Sequence, residues 1–172
     1  HYLNFKDLIK DAELNKNFFT LYKKFCPGPI TFVLNKKKNS NVSKLATANL
    51  NTIAVRFPKN RVIRKLLKEI NFPLAIPSAN KSSGISPVNS TDVSEEFGKK
   101  LKIILNDGAC KIGIESTIVD LTQKIKILRP GAISQSQISK KINKRVLILK
   151  NIKNIKAPGA LKKHYSPNIP MK

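Results

Sequence analysis

The sequence predicts an α/β fold, in which helices flank a sheet. Short apolar and β-branched runs bounded by proline, glycine or asparagine alternate with segments whose apolar residues recur at helical spacing. The chain has 172 residues and 41% hydrophobic residues, which fits one domain with a true core and a short tail. No window is apolar enough to span a membrane, so we expect no membrane partner.

Helical periodicity is clearest between Leu14 and Phe25, where apolar residues share one face. A second apolar stripe runs from Val62 to Ile70 and is expected to be core. Residues 90–92 and Ser134 are N-cap candidates for two shorter helices. Helices are therefore predicted over residues 11–25, 62–70, 93–97 and 135–142.

The strands are predicted from β-branched content and alternation. In the segment Thr52 to Pro58, the residues Thr52, Ala54 and Arg56 share one face, and the apolar residues between them share the other. The residues Asn106 to Gly108 form a predicted turn. Strands are predicted over residues 30–34, 52–58, 72–76, 102–105, 116–121, 127–133 and 146–149.

The stretch from Ile76 to Pro87 is rich in small, hydroxyl and amide side chains. It follows one predicted strand and precedes a helix, which is where ligand-binding loops of α/β proteins lie. Ser78 and Asn80 are two residues apart, so they project to the same side in extended backbone. The alternative is a Ser/Gly linker, but Pro77 and Pro87 stiffen both ends.

The formal charge of +23 has two competing explanations. One is a polyanionic partner such as a nucleic acid or a nucleotide. The other is genome composition, because lysine, asparagine and isoleucine are all abundant. Only five arginines occur, so an arginine retained at a strand end, such as Arg56, indicates a need for a planar, bidentate cation.

The two cysteines, Cys26 and Cys110, lie far apart in sequence and form no C-x-x-C motif. They predict neither a disulfide framework nor a zinc site, and a reducing, cytoplasmic setting fits best. The sequence begins with His1 instead of methionine and shows no signal peptide, so we expect it to be a fragment.

Several separated motifs occur in the order seen in one known family. They are residues 27–31, 52–58, 77–87, 113–121 and 128–133, followed by Pro158-Gly159 and His164-Tyr165-Ser166-Pro167. Over nearly its whole length the chain resembles the threonylcarbamoyl-AMP synthases of the YrdC/TsaC type. Its last part resembles the linker of the longer form of that family, which carries an additional C-terminal domain.

The resemblance implies an open, twisted, mixed sheet with flanking helices and a basic concave face. It implies an enzyme that joins L-threonine, bicarbonate and ATP into threonylcarbamoyl-AMP and pyrophosphate, for the N6-threonylcarbamoyladenosine modification of tRNA. Mg²⁺ is expected to arrive with ATP, because the sequence contains no carboxylate cluster to hold a metal. The implied partners also include tRNA or double-stranded RNA on the basic face, and the downstream threonylcarbamoyl-transfer machinery.

The resemblance also implies two sets of ligand-binding residues, and no side-chain nucleophile. The threonine set is His1, Arg56, Ile76 and Ser116. The ATP set is Thr52, Ser78, Asn80, Ser86, Arg129 and His164. Glu115 and Asp120 are expected to have structural roles.

The expected domains are residues 1–150, a nucleotide- and threonine-binding domain, and residues 151–172, a linker towards a further domain. A Lys-x-Arg motif is expected to precede His1, so the chain is expected to hold only part of an active site. Two alternatives remain open. One is a non-catalytic RNA-binding module, although the chain has no tryptophan and no aromatic RNA-binding motif. The other is a related carbamoyl-adenylate domain, as in hydrogenase-maturation proteins.

Overall fold

The computed structural model describes residues 1–81 and 84–149. Five strands form one sheet in the order β2-β1-β3-β4-β5. The strands are β1 (Ile30–Asn35), β2 (Thr52–Arg56), β3 (Thr117–Asp120), β4 (Lys126–Arg129) and β5 (Leu147–Ile148). The helices are α1 (Phe5–Leu8), α2 (Lys16–Phe25), α3 (Arg61–Ile70), α4 (Ser90–Phe97) and α5 (Gln135–Ile142).

The sheet is mixed. β1 pairs antiparallel with β2 and parallel with β3, β3 pairs antiparallel with β4, and β4 pairs parallel with β5. The predicted α/β architecture with a mixed sheet is therefore confirmed. The ladder between β3 and β4 shifts register between Ile118 and Val119, which marks a bulge at that point.

One face of the sheet carries the main hydrophobic core. Phe32 of β1 and Val55 of β2 are buried there with Phe18 of α2 and Ile138 of α5. The two helices thus cover this face, and alternate strand residues point to the other one. Thr31, Val33, Ala54, Arg56 and Ile118 lie on that second face, which we call the site face. Its apolar cluster is small, consisting of Val33, Ile118 and Leu128 with Leu149 against them.

Asparagine and serine side chains set where the helices begin. The side chain of Asn15 accepts a hydrogen bond from the Phe18 N–H at 3.0 Å, so α2 starts at Lys16 and the predicted start at residue 11 is wrong. Asn89 caps α4, one residue before the predicted cap. The Ser134 cap is confirmed and forms a capping box with Gln137.

The apolar stripe of α3 is less buried than its periodicity predicts. Only Leu67 is fully buried, whereas Val62, Ile63, Leu66 and Ile70 are half-buried. The helix lies at the margin of the sheet. Its Arg64 donates to the Leu3 carbonyl at 3.2 Å, so α3 packs on the N-terminal segment rather than in the main core.

Two predicted strands are wrong. The segments 72–76 and 102–105 have no strand assignment, and Phe72 and Ile103 are 58% and 78% exposed. Among the described residues, the backbone of segment 72–76 pairs only at Leu74, which exchanges two hydrogen bonds with His1. Apolar, β-branched composition is not sufficient for a strand without a neighbouring ladder to satisfy its backbone groups.

Residues 151–172, predicted to be a linker, lie outside the described residues. No helix within 1–81 and 84–149 is long and apolar enough to cross a membrane.

Candidate ligand-binding site

The register of the sheet brings polar side chains into one row. Arg56 stands opposite Thr31, Thr31 opposite Ile118, and Ile118 opposite Arg129. Directly paired residues project to the same face, and neighbouring strands lie about 4.8 Å apart. Arg56 on the edge strand β2 and Arg129 on β4 therefore lie on either side of Thr31 and Ile118 on the site face.

Arg56 ends β2, and its guanidinium is substantially buried. Its Nε is buried and has no hydrogen-bond partner among the described residues. Burial lowers the pKa of Arg56, Glu115 opposes that shift, and Arg129 adds to it by repulsion. A buried N–H donor without an acceptor costs free energy, so this group is suited to bind an anion from outside the protein.

Ser116 is buried immediately before β3 and is held by Arg129. Arg129 donates from Nη2 to the Ser116 carbonyl at 2.9 Å and to Ser116 Oγ at 3.1 Å, and from Nε to the same carbonyl at 3.2 Å. The hydroxyl of Ser116 also shares a 2.8 Å hydrogen bond with Thr31 Oγ1. The predicted threonine-side residue Ser116 and the predicted ATP-side residue Arg129 are therefore in direct contact.

Glu115, for which a structural role is expected from the sequence, belongs to the same cluster. Its Oε2 accepts from Arg129 Nη2 at 3.3 Å, and its Oε1 accepts from Ser86 Oγ at 3.1 Å. Thr31 is the second residue that the predicted site omitted. Thr31 is identified only by the sheet register, in which antiparallel pairing of β1 with β2 places it opposite Arg56.

His1 lies beside the end of β2. The Tyr2 N–H donates to the Arg56 carbonyl at 3.0 Å, and the backbone of His1 pairs with Leu74. The Nδ1 atom of His1 is buried without a partner among the described residues. Ile76 is half-buried and lies two residues after Leu74.

The polar loop that follows Ile76 is folded on itself by Asn80. Its Nδ2 donates to the carbonyls of Lys81 at 2.9 Å and Gly84 at 3.0 Å. Its Oδ1 is buried and accepts no hydrogen bond from a donor in the described ranges. Ser86 reaches Glu115 as described above, whereas Ser78 is exposed. The projection of Ser78 and Asn80 to one side stays a prediction.

Among the described residues, Thr52 forms no hydrogen bond with this cluster. Thr52 lies on the site face as predicted, but four residues before Arg56 on β2, a distance of about 13 Å along a strand. His164 lies outside the described residues.

Three buried side-chain atoms lack a hydrogen-bond partner within residues 1–81 and 84–149. They are His1 Nδ1, Arg56 Nε and Asn80 Oδ1. Buried polar atoms are rarely unsatisfied in folded proteins, so each one requires an explanation. All three belong to residues that the sequence analysis assigned to ligand binding. The same ranges contain no group of three or more His, Cys, Asp and Glu residues that could hold a metal ion.

Comparison with known proteins identifies the family. Residues 1–131 match the family model Sua5/YciO/YrdC, which carries the description "Telomere recombination". The chain belongs to the Sua5/YciO/YrdC family. This confirms the family that the separated motifs predicted.

Individual relatives agree with the family assignment. The chain is 36% identical to a threonylcarbamoyl-AMP synthase of Pyrococcus abyssi over 168 residues, which is 95% of this chain and 47% of the relative. It is 35% identical to the Bacillus subtilis threonylcarbamoyl-AMP synthase over 157 residues, 88% of this chain and 45% of that protein. The chain therefore spans about half the length of these curated relatives.

The fold of this Sua5/YciO/YrdC member is also that of a solved relative. The crystal structure of P. abyssi Sua5 complexed with L-threonine superposes with a TM-score of 0.90 at 37% identity, covering 97% of this chain and 50% of the other. The open mixed sheet expected from the resemblance is thus confirmed.

Proposed function

We propose that residues 1–150 form a domain that makes threonylcarbamoyl-AMP and pyrophosphate from L-threonine, bicarbonate and ATP. The names of the relatives support this assignment. The observation that carries it is a set of three buried polar atoms without hydrogen-bond partners among the described residues, His1 Nδ1, Arg56 Nε and Asn80 Oδ1. One cation and two polar groups without partners fit small, highly polar substrates better than an apolar ligand.

The threonine set is His1, Arg56, Ile76 and Ser116. A carboxylate has two coplanar oxygens, which match the fork of the Arg56 guanidinium. Binding would give the buried Nε an acceptor and would offset the repulsion from Arg129. Threonine is bound in the solved relative P. abyssi Sua5, which supports the presence of an amino-acid pocket in this family member.

The ATP set is Thr52, Ser78, Asn80, Ser86, Arg129 and His164. Arg129 retains the two N–H donors of Nη1, since its hydrogen bonds to described residues all come from Nε and Nη2. These donors suit a phosphate oxygen. Asn80 Oδ1 offers an acceptor for a hydroxyl or amino group of the nucleotide. Mg²⁺ is proposed to arrive with ATP as part of that substrate.

The proposed reaction has two steps. The threonine amine adds to the carbon supplied by bicarbonate, which loses water and leaves an N-carboxylate. An oxygen of that carboxylate then attacks the α-phosphorus of ATP, and pyrophosphate leaves with the electrons of the broken P–O bond. Neither step needs a protein nucleophile, so the protein acts by holding two anionic reactants together and by stabilising charge.

The partners follow from the product. A reactive mixed anhydride has to be consumed by a transfer reaction, and we propose tRNA modification by the downstream transfer machinery in the cytoplasm. Residues 151–172 are proposed to be the linker towards a further domain. The RNA-binding module is the competing function, because a charge of +23 alone attracts a polyanion.

The function is tested through Arg56. In the intact protein, Arg56→Lys is expected to raise the KM for threonine roughly ten- to a hundredfold, because a charge-assisted hydrogen bond contributes about 1.5–3 kcal/mol. The KM for ATP should change little. The measurement is pyrophosphate release that depends on threonine and bicarbonate, with threonine varied at saturating ATP.

Arg61→Lys is the matched control, since Arg61 is exposed at the start of α3. It should leave both constants unchanged. If the wild-type protein releases no pyrophosphate in response to threonine, yet retains RNA, the RNA-binding module replaces the enzyme as the explanation. An unchanged threonine KM in Arg56→Lys would remove Arg56 from the threonine pocket.

A further inference from the structure

Glu115 connects two parts of the molecule that sequence order keeps apart. One carboxylate oxygen accepts from Ser86 in the loop before α4, and the other accepts from Arg129 at the end of β4. Glu115 and Arg129 form the single ion pair in the described ranges, and their side chains are 28% and 18% exposed. A partly buried ion pair with hydrogen bonds on both oxygens holds its geometry better than an exposed one.

The connection continues beyond Arg129. The same Nη2 that binds Glu115 donates to Ser116 Oγ, and Ser116 Oγ shares a hydrogen bond with Thr31. A continuous hydrogen-bonded chain therefore runs from the polar loop, through a carboxylate and a guanidinium, to the middle of the site face. Removing Glu115 would free Ser86 on one side and Arg129 on the other.

These hydrogen bonds also show which donors are already used within the protein. A serine hydroxyl has one proton, and that of Ser86 is given to Glu115. Ser86 cannot donate this proton to a phosphate while the contact exists, so its contribution to ATP binding is to anchor the loop. Arg129 keeps both N–H groups of Nη1 for a ligand, since its hydrogen bonds to described residues use only Nε and Nη2.

Carboxylates are scarce in this chain, and three of its ten acidic residues hold this one loop. Glu96 accepts from the Lys81 N–H and Asp92 accepts from the Val88 N–H, both at 2.9 Å. Those two acids lie on α4, so they fix the loop to the helix that follows it. Glu115 alone among the three fixes the loop to the sheet.

We propose that Glu115 is a positioning residue that holds the ATP-binding loop against the sheet and, through Arg129, orients Ser116 in the threonine pocket. The substrates named here rest on the proposed function. The role differs from that of a structural acid, because losing it should weaken the binding of both substrates without unfolding the domain.

The test compares Glu115→Ala with Glu115→Gln in the intact protein. The alanine variant should raise the KM for Mg·ATP about tenfold and that for threonine about threefold, because both ends of the hydrogen-bonded chain are released. The glutamine variant should stay within about threefold of wild type, since its amide can donate to Ser86 Oγ and accept from Arg129. Glu13→Ala, which removes an exposed acid bound to Asn35, is the control and should change neither constant.

A double-mutant cycle with Ser86→Ala makes the result specific to the contact. If Glu115 acts through Ser86, the ATP effect of the double variant is smaller than the product of the single effects. Multiplicative effects, or a Glu115→Ala variant with wild-type KM values and only a lowered Tm, would show a merely structural role. A glutamine variant as impaired as alanine would show that charge, not positioning, is required.

Calorimetric titration with Mg·ATP separates this inference from the proposed function. Suppose that wild type binds ATP but releases no pyrophosphate with threonine, and that Glu115→Ala weakens ATP binding about tenfold while glutamine restores it. The proposed reaction would then fall and the positioning role would stand. If the wild type releases pyrophosphate with threonine but Glu115→Ala binds ATP normally, the proposed reaction would stand and the positioning role would fall. A wild-type protein that binds no ATP would overturn both.

Discussion

At the scale of single residues, two arginines on the same face differ in what their donors contact. Arg129 directs three of its five N–H groups to Ser116 and Glu115, within 3.3 Å. Arg56 leaves its buried Nε without an acceptor in the described ranges. Arg129 is thus largely engaged by the protein, whereas Arg56 has a buried donor that a substrate carboxylate can satisfy. Because both arginines end strands, sequence position alone does not separate these roles.

Thr117 shows how a single hydroxyl joins two elements. Its Oγ1 donates to the Ile133 carbonyl at 2.7 Å and accepts from the Ile133 N–H at 2.9 Å, and the residue is fully buried. Thr117→Val keeps the shape but leaves both backbone groups of Ile133 unsatisfied. We expect the free energy of unfolding to fall by about 1–3 kcal/mol, measured by urea denaturation.

Thr20→Val is the control for this prediction. Thr20 Oγ1 donates to the Lys16 carbonyl at the surface of α2, where water can replace the hydroxyl. The change in unfolding free energy should be within about 0.5 kcal/mol. Equal losses in the two variants would indicate that the intrinsic propensity of valine, and not the buried bonds, determines the outcome.

At the scale of elements, the turn after β4 packs directly on the backbone that precedes β3. A Cβ at Gly131 would lie 2.3 Å from the Glu115 carbonyl oxygen and 2.6 Å from Ser116 C. The Ala132 N–H donates to that same carbonyl at 3.1 Å. Only glycine allows this approach, which sets the backbone of the two central site residues.

Gly131→Ala should therefore push the turn away from β3. We expect a loss of about 1–3 kcal/mol in unfolding free energy, typical of overpacking against backbone, together with weaker threonine binding because Ser116 moves. Urea denaturation and threonine titration measure the two effects.

Gly108→Asn is the matched control for the glycine substitution. Gly108 has a φ of +78° with open space around it, and asparagine tolerates that conformation better than other residues. It should cost less than about 1 kcal/mol and leave threonine binding unchanged. A Gly131→Ala variant as stable as Gly108→Asn would mean that the turn relaxes without disturbing the site.

At the scale of the whole molecule, part of the positive charge lies on the face of the sheet opposite the site face. The helices α2 and α5 cover the face opposite the site, and their sequences contain five lysines and no acidic residue. All five, Lys16, Lys23, Lys24, Lys140 and Lys141, are exposed. Repulsion among such charges opposes the compact state and is screened by salt.

The molecule should therefore be stabilised by sodium chloride. Raising its concentration from about 20 to about 300 mM shortens the screening length to below 10 Å and is expected to raise the Tm by several degrees, roughly 3–6 °C. Thermal unfolding by circular dichroism measures the shift.

A variant with Lys23, Lys24, Lys140 and Lys141 changed to glutamine is the comparison. Its Tm at low salt should be higher than that of the wild type, and its response to salt should be smaller. A Tm that is independent of salt in both proteins would show that the lysines are too far apart for their repulsion to matter.

Helices and strands with a strong local pattern in the sequence could be predicted without the structure. Periodicity predicted α2 and α3, the Ser134 cap predicted the start of α5, and alternation predicted the two faces of β2. Local composition could not determine whether an apolar run finds a partner strand. The segments 72–76 and 102–105 therefore have strand-like sequences without strand structure, because backbone pairing is a non-local property.

Which side chains of the site form hydrogen bonds with one another is visible only in the tertiary structure. Resemblance placed Arg56, Ser116 and Arg129 at a site, but their roles depend on which atoms contact which. Glu115, which the sequence left as an isolated acid, becomes the link between Ser86 and Arg129 only when the loop folds onto the sheet. A hydrogen bond requires a distance and an angle between groups 14 and 29 residues apart in the chain, and such geometry follows from the sheet register rather than from sequence spacing.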